Sequence, residues 1–208
     1  MNSGNIMIAI IDYGSGNLRS VYNAFRYLGE DVKICGSSAE LVTADKIIFP
    51  GVGSSKDAMK GLTERGFIDP IKKAIGDGKP FLGICLGLQM LFTRSEESGG
   101  VDGLGLIKGE VKLFPSDDRF KVPQIGWNTV KLQKKNCPIF KGIEDETYFY
   151  FVHSYYCDSG EKEYVAGITE YNKAYTSCIW KDNVFAVQFH PERSQENGLK
   201  LLKNFIEI

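Results

Sequence analysis

Few groups in this chain could carry out covalent chemistry, and the sequence sets one of them apart. Among five cysteines and two histidines, Cys85 stands in Gly83-Ile84-Cys85-Leu86-Gly87. The apolar residues from Pro80 onward are enough for a buried strand, and Leu88-Gln89-Met90-Leu91-Phe92 reads as the first turns of a helix. A nucleophile at a strand-to-helix corner between two glycines forms a nucleophile elbow, here with a thiol. A side chain at Gly83 or Gly87 would crowd a strained turn. A helix beginning at the sulfur would set unpaired N–H groups and partial positive charge beside it, which favours the thiolate. On this stretch alone, Cys85 could equally be one more buried cysteine.

A thiol nucleophile needs a base, and only His153 and His190 are available. His190 opens His190-Pro191-Glu192 after the apolar run Val184 to Phe189. Proline pushes the residue before it toward an extended conformation and fixes its own φ. Residues two apart on an extended chain share a side. Glu192 is thereby placed to hold one imidazole nitrogen while the other faces a thiol, the arrangement of nucleophile, base and orienter. His153 lacks an acidic neighbour two residues on, where Tyr155 stands, so a structural or substrate-contacting role fits it better.

The remaining composition bounds the function. A chain of 208 residues with net charge -1 and no long basic run gives no reason to expect nucleic acid. No apolar segment reaches membrane-spanning length, and Met1 to Asn5 lack the features of a signal peptide, so the expected address is the cytosol. The odd cysteine count without CxxC pairs argues against a disulfide framework or structural zinc.

Positioning elements follow from the hydrophobic pattern. Ile6 to Ile11, Asp31 to Cys35, Lys46 to Phe49 and the strand leading to Cys85 alternate with helical segments such as Leu18 to Leu28 and Phe67 to Ile75. Ser37 and Glu40 read as a capping box. Strand and helix in alternation predict an α/β fold with a doubly wound, mostly parallel sheet in three layers. Beyond the flexible connector Ser98 to Gly105 come short strands: Leu106–Phe114, Asn128–Leu132, Tyr148–Val152, Val165–Thr169 and Tyr175–Trp180. These predict an added antiparallel β layer within one domain, 1–208, closed by Val184–Phe189 and a helix over Glu196–Ile206. Two glycine-rich corners, Gly14-Ser15-Gly16 and Pro50-Gly51-Val52-Gly53, follow strands, where sites form in open parallel sheets. The first is not a dinucleotide fingerprint, since Arg19 occupies the third glycine position.

Gly83-Ile84-Cys85-Leu86-Gly87-Leu88-Gln89 with Phe189-His190-Pro191-Glu192 resembles the class I (triad) glutamine amidotransferase family. Asp12-Tyr13-Gly14-Ser15-Gly16-Asn17, Pro50-Gly51-Val52-Gly53, Gln124-Ile125-Gly126-Trp127-Asn128 and Phe151-Val152-His153-Ser154-Tyr155-Tyr156 resemble its histidine-biosynthesis branch, and the likeness runs nearly end to end. The resemblance implies a glutaminase in which Cys85 attacks glutamine, His190 moves the proton and Glu192 orients His190. It implies an oxyanion held at Leu86 and the Val52–Gly53 corner, and substrate held by Gln89, Glu97, Ser154 and Tyr155. It implies neither metal nor cofactor. Ammonia would pass to a (β/α)8-barrel cyclase subunit in a heterodimer, which forms imidazole glycerol phosphate and aminoimidazole carboxamide ribotide. The docking face would include Gly14, Asn17, Trp127 and Arg193, the last a position where many relatives carry lysine. Three other readings stay open at this stage: a paralogue that feeds a different synthase, a stand-alone cysteine hydrolase, and a non-catalytic module.

Overall fold

The computed structural model describes residues 6–14, 17–115 and 118–208; Met1 to Asn5, and Ser15 and Gly16 of the first glycine corner, lie outside them. In chain order the parallel half comprises β1 (Ile8–Ile11), α1 (Leu18–Tyr27), β2 (Val32–Cys35), α2 (Ser38–Leu41), β3 (Lys46–Gly51), α3 (Ser55–Glu64), α4 (Ile68–Gly76), β4 (Phe81–Cys85) and α5 (Leu86–Gln89). There follow β5 (Phe92–Ser95), β6 (Val101–Asp102), β7 (Ile107–Leu113), β8 (Gln124–Leu132), β9 (Thr147–His153), β10 (Tyr155–Ser159), β11 (Val165–Glu170), β12 (Ala174–Lys181), β13 (Val184–Val187) and α6 (Gln195–Ile206).

Strands β2-β1-β3-β4-β13 lie in that order and pair in parallel. β1, β4 and β13 are buried at every position, as a strand covered on both faces must be. Alternate residues of β1 enter two different cores. Ile8 and Ile10 pack with Val21 and Phe25 of α1 and Leu201, Leu202 and Phe205 of α6, while Ala9 and Ile11 pack with Leu62 of α3 and Ile71 of α4. This is the three-layer arrangement the strand–helix alternation predicts. β13 then pairs antiparallel with β12, which pairs with β10, and β10 with β7. The antiparallel layer is therefore a continuation of the same sheet, with β11, β8 and β9 branching from it.

Two elements differ from the sequence expectation. α3 has no counterpart in the hydrophobic reading because, of the positions it buries at helical spacing (Ser55, Ala58 and Leu62), only Leu62 is a large apolar residue. Its local signal is the cap, where the Ser54 hydroxyl accepts from the Asp57 amide at 3.1 Å. The helix after Cys85 lasts a single turn instead of running through Phe92. The amide of Leu104 takes the Met90 carbonyl at 2.7 Å, and those of Leu106 and Ile107 take the Leu91 carbonyl at 2.9 and 3.0 Å. These bonds hold the chain leaving the turn against residues 104–107, and Phe92 to Ser95 becomes a strand beside β7. Tertiary pairing here overrides a run of good helix formers.

Candidate active site

The site is built where three parallel strands end at one level. In the sheet register Gly51 of β3 lies beside Cys85 of β4, and Val187 of β13 lies beside Ile84. The register therefore delivers the Val52–Gly53 corner to one side of Cys85, and the segment Gln188-Phe189-His190 to the other.

Cys85 has φ 55 and ψ −106, in the left-handed region that costs a non-glycine residue on the order of 1–3 kcal/mol. Its glycine neighbours make this corner possible. A Cβ at Gly87 would fall on the carbonyl oxygen of Phe49, and one at Gly83 would lie 3.0 Å from the Gly87 backbone. Gly51 is also fixed by close approach, since a Cβ there would sit 2.9 Å from the Leu86 side chain. Backbone freedom at the second corner resides in Gly53, with φ 96 and open space around it. Because α5 is one turn long, the electrostatic help to the sulfur comes from its first amides, not from the dipole of an extended helix.

His190 is 4% exposed, and its Nδ1 lies 2.8 Å from Oε1 of Glu192, whose side chain is buried. Glu192 is not on an extended strand as the Pro191 argument supposes. Pro191 to Arg193 form a 3-10 turn, which closes the two-residue gap by bending. The turn is tied down from α6: the Ser194 hydroxyl donates to the His190 carbonyl at 2.7 Å and accepts from the Tyr150 amide at 3.0 Å. Burial works against charge on His190, but the adjacent Cys85 sulfur and then the Glu192 carboxylate outweigh it and raise its pKa well above the ordinary histidine value. Oε2 of Glu192 is buried without a hydrogen-bond partner among the described residues, so a charged imidazole is its main compensation. The geometry is that of a cysteine–histidine pair held by a carboxylate.

His153 behaves differently. It is buried, with Nδ1 2.7 Å from the Tyr155 carbonyl and Nε2 3.2 Å from the Tyr175 hydroxyl, which also reaches the Gln124 amide at 3.0 Å. Burial pulls its pKa down to about 4, so it is neutral at physiological pH. What orients it is a backbone carbonyl and a phenol from β12, neither visible as a local sequence motif.

A cavity of about 300 Å³ opens above the sulfur. It is lined by Val52, Gly53, Cys85, Leu86, Gln89, Glu97, Ser154, Tyr155, His190 and Arg193, all drawn from the residues singled out in the sequence. Pro123, Val152 and His153 complete the lining. Glu97 places one carboxylate oxygen 2.5 Å from the Ser55 amide at the start of α3, directly behind the Val52–Gly53 corner. The Val152 carbonyl accepts from the Cys85 thiol at 3.8 Å. The other expected docking residues lie outside the cavity: Gly14 is exposed, Asn17 precedes α1, and Trp127 is 46% exposed with its ring edge-on to Tyr150 at 6.0 Å. The Tyr150 carbonyl in turn accepts from the His190 amide at 2.9 Å. A second cavity of about 360 Å³, lined by Asp158, Lys162, Tyr175 and Thr176 among others, has neither cysteine nor histidine in its lining.

The family model of class I glutamine amidotransferases matches residues 9–208. The chain belongs to the class I glutamine amidotransferase family. At finer grain it is 52% identical over 199 residues to imidazole glycerol phosphate synthase subunit HisH of Desulfitobacterium hafniense (96% of this chain, 93% of the relative). It is 50% identical over 202 residues to the subunit of the same name from Methanocaldococcus jannaschii, covering 97% and 100% of the two chains. Among solved structures, PurLQS from Thermotoga maritima superposes with TM-score 0.78 at 20% identity over 98% of this chain and 99% of that one, a likeness of fold.

Proposed function

We propose that this chain is the glutaminase subunit of imidazole glycerol phosphate synthase in histidine biosynthesis, working in the cytoplasm as a heterodimer with a (β/α)8-barrel cyclase. The observation that carries the chemistry is the convergence of Cys85, the His190–Glu192 pair and the Val52–Gly53 corner on one cavity. Glutamine enters with its side-chain amide over the sulfur and its α-ammonium and α-carboxylate toward Gln89, Glu97, Ser154 and Tyr155. The Cys85 thiolate attacks the amide carbon. The oxyanion is held by the Leu86 amide and an amide of the Val52–Gly53 corner, where losing one such donor typically costs about 2.7–4 kcal/mol in the transition state. His190 gives its Nε2 proton to the departing nitrogen as the C–N bond breaks, and ammonia leaves. His190 then takes a proton from water, which attacks the γ-glutamyl thioester and releases glutamate. Glu192 keeps Nδ1 occupied, so Nε2 performs both transfers.

Ammonia passes to the cyclase across a face that includes Gly14, Asn17, Trp127 and Arg193. The Val52–Gly53 peptide turns when the partner is loaded, and Gly53 supplies the freedom for it. The test is glutamate release from glutamine by the purified chain, alone and with the cyclase subunit and its ribonucleotide ligand. The expected result is low activity alone and a large stimulation in the complex. High activity alone on a peptide or γ-glutamyl substrate would favour a stand-alone hydrolase.

A further inference from the structure

A residue outside the triad and the substrate contacts joins the two. Gln188 sits in the step between β13 and His190 and is fully buried. Its Nε2 donates to the Cys85 sulfur at 3.7 Å. Its Oε1 accepts from Nε2 of Gln89 at 3.1 Å and from the Cys157 thiol at 3.9 Å. Gln89 gives its other amide proton to the Tyr155 carbonyl at 3.0 Å. These bonds fix the sense of both amides. Turning Gln89 over would set its oxygen against the Tyr155 carbonyl and the Gln188 oxygen; turning Gln188 over would set its NH2 against the NH2 of Gln89 and its oxygen against the sulfur. As it stands, Gln89 has spent both protons inward, and only its carbonyl oxygen remains for the cavity it lines. An acceptor there suits the α-ammonium of an amino acid and rejects an α-carboxylate.

From this geometry we propose that Gln188 is a positioning residue that acts at two places at once. It presents an N–H to the sulfur, stabilising charge on it, and it locks Gln89 with its acceptor toward the substrate's α-ammonium. The proposal rests on Cys85 being the nucleophile. For a donor to a charged acceptor at the long separation of 3.7 Å the expected effect is about tenfold in rate.

The test compares Gln188→Met, which keeps the volume and removes all three bonds, with Gln188→Asn, which keeps an amide but withdraws it by one methylene and guards against misfolding. Two readouts are taken. One is alkylation of Cys85 by iodoacetamide against pH, followed by peptide mass mapping so that the other four cysteines do not contribute. The other is kcat and KM for glutamine with the synthase partner bound. Both Gln188 variants are expected to alkylate about tenfold more slowly at neutral pH, with the profile moved to higher pH, and to show a raised KM. Gln89→Met is expected to raise KM while slowing alkylation by this uncharged reagent less than either Gln188 variant does, a split that a merely structural role for Gln188 would not produce. Folded Gln188 variants with wild-type alkylation profiles would overturn the proposal. Cys85→Ala with retained glutaminase activity would instead overturn the nucleophile assignment beneath it.

Discussion

Replacing His153 by glutamine should flatten part of the acid limb of this protein's stability. His153 is neutral in the folded protein because burial costs its charged form more than the Tyr155 carbonyl returns, and the charge on nearby His190 adds to that cost. Its pKa falls from the ordinary 6.5 to about 4. For a depressed folded value, the contribution to stability is intact above the unfolded pKa and is lost progressively as pH falls from there toward the folded one. The full difference of about 2.5 pKa units corresponds to roughly 3.4 kcal/mol. Linkage places about 2 kcal/mol of that between pH 7.5 and 5, and about 3 kcal/mol by pH 4. Glutamine can donate to the Tyr155 carbonyl without titrating. Urea unfolding of wild type and His153→Gln at pH 7.5, 6, 5 and 4 isolates the contribution, because carboxylate protonation is common to both chains. The wild type should lose about 2 kcal/mol more than the variant between pH 7.5 and 5. Equal losses in the two proteins would show that His153 titrates normally and that the burial argument is mistaken.

Gly87→Ala should abolish glutaminase activity and destabilise the chain by more than about 4 kcal/mol, since the new methyl lands on the backbone carbonyl of Phe49 in a central strand; chemical unfolding measures it, and a wild-type midpoint would mean the elbow is looser than described. By contrast, Gly76→Ala, with open space around its Cβ, should leave the midpoint unchanged or slightly raised. Glu192→Gln removes a carboxylate that raises His190, so the His190 imidazole should titrate lower by NMR, where only two histidines contribute signals. Glutamine-dependent turnover should fall about 10²–10⁴-fold while turnover with added ammonium salts persists; an unmoved His190 titration would remove Glu192 from the role of orienter.

Much of this arrangement is legible in the chain because its chemistry depends on local sequence. Gly87 is demanded by a backbone contact that no side chain survives, and Gly83 sits where a Cβ would be crowded at 3.0 Å, so the motif shows directly where the nucleophile stands. His190 and Glu192 are two residues apart, and one hydrogen bond joins them whatever the turn between. What sequence leaves hidden depends on distant partners. The course of the chain after α5 depends on residues 104 to 107, whose amides take the Met90 and Leu91 carbonyls beside the strand Phe92 to Ser95. The orientation of His153 depends on Tyr175, and that of Gln89 on Gln188, across separations of 22 and 99 residues. α3 is hidden from hydrophobic periodicity because its buried face carries one large apolar residue, Leu62, beside Ser55 and Ala58.

The most direct test of the account is the covalent state of Cys85 during turnover. With glutamine and the loaded synthase partner, rapid acid quench followed by mass mapping should find one γ-glutamyl group on the peptide carrying Cys85, and none in Cys85→Ala. An adduct on another residue, or undiminished glutamate release by Cys85→Ala, would contradict the assignment of Cys85 as the nucleophile.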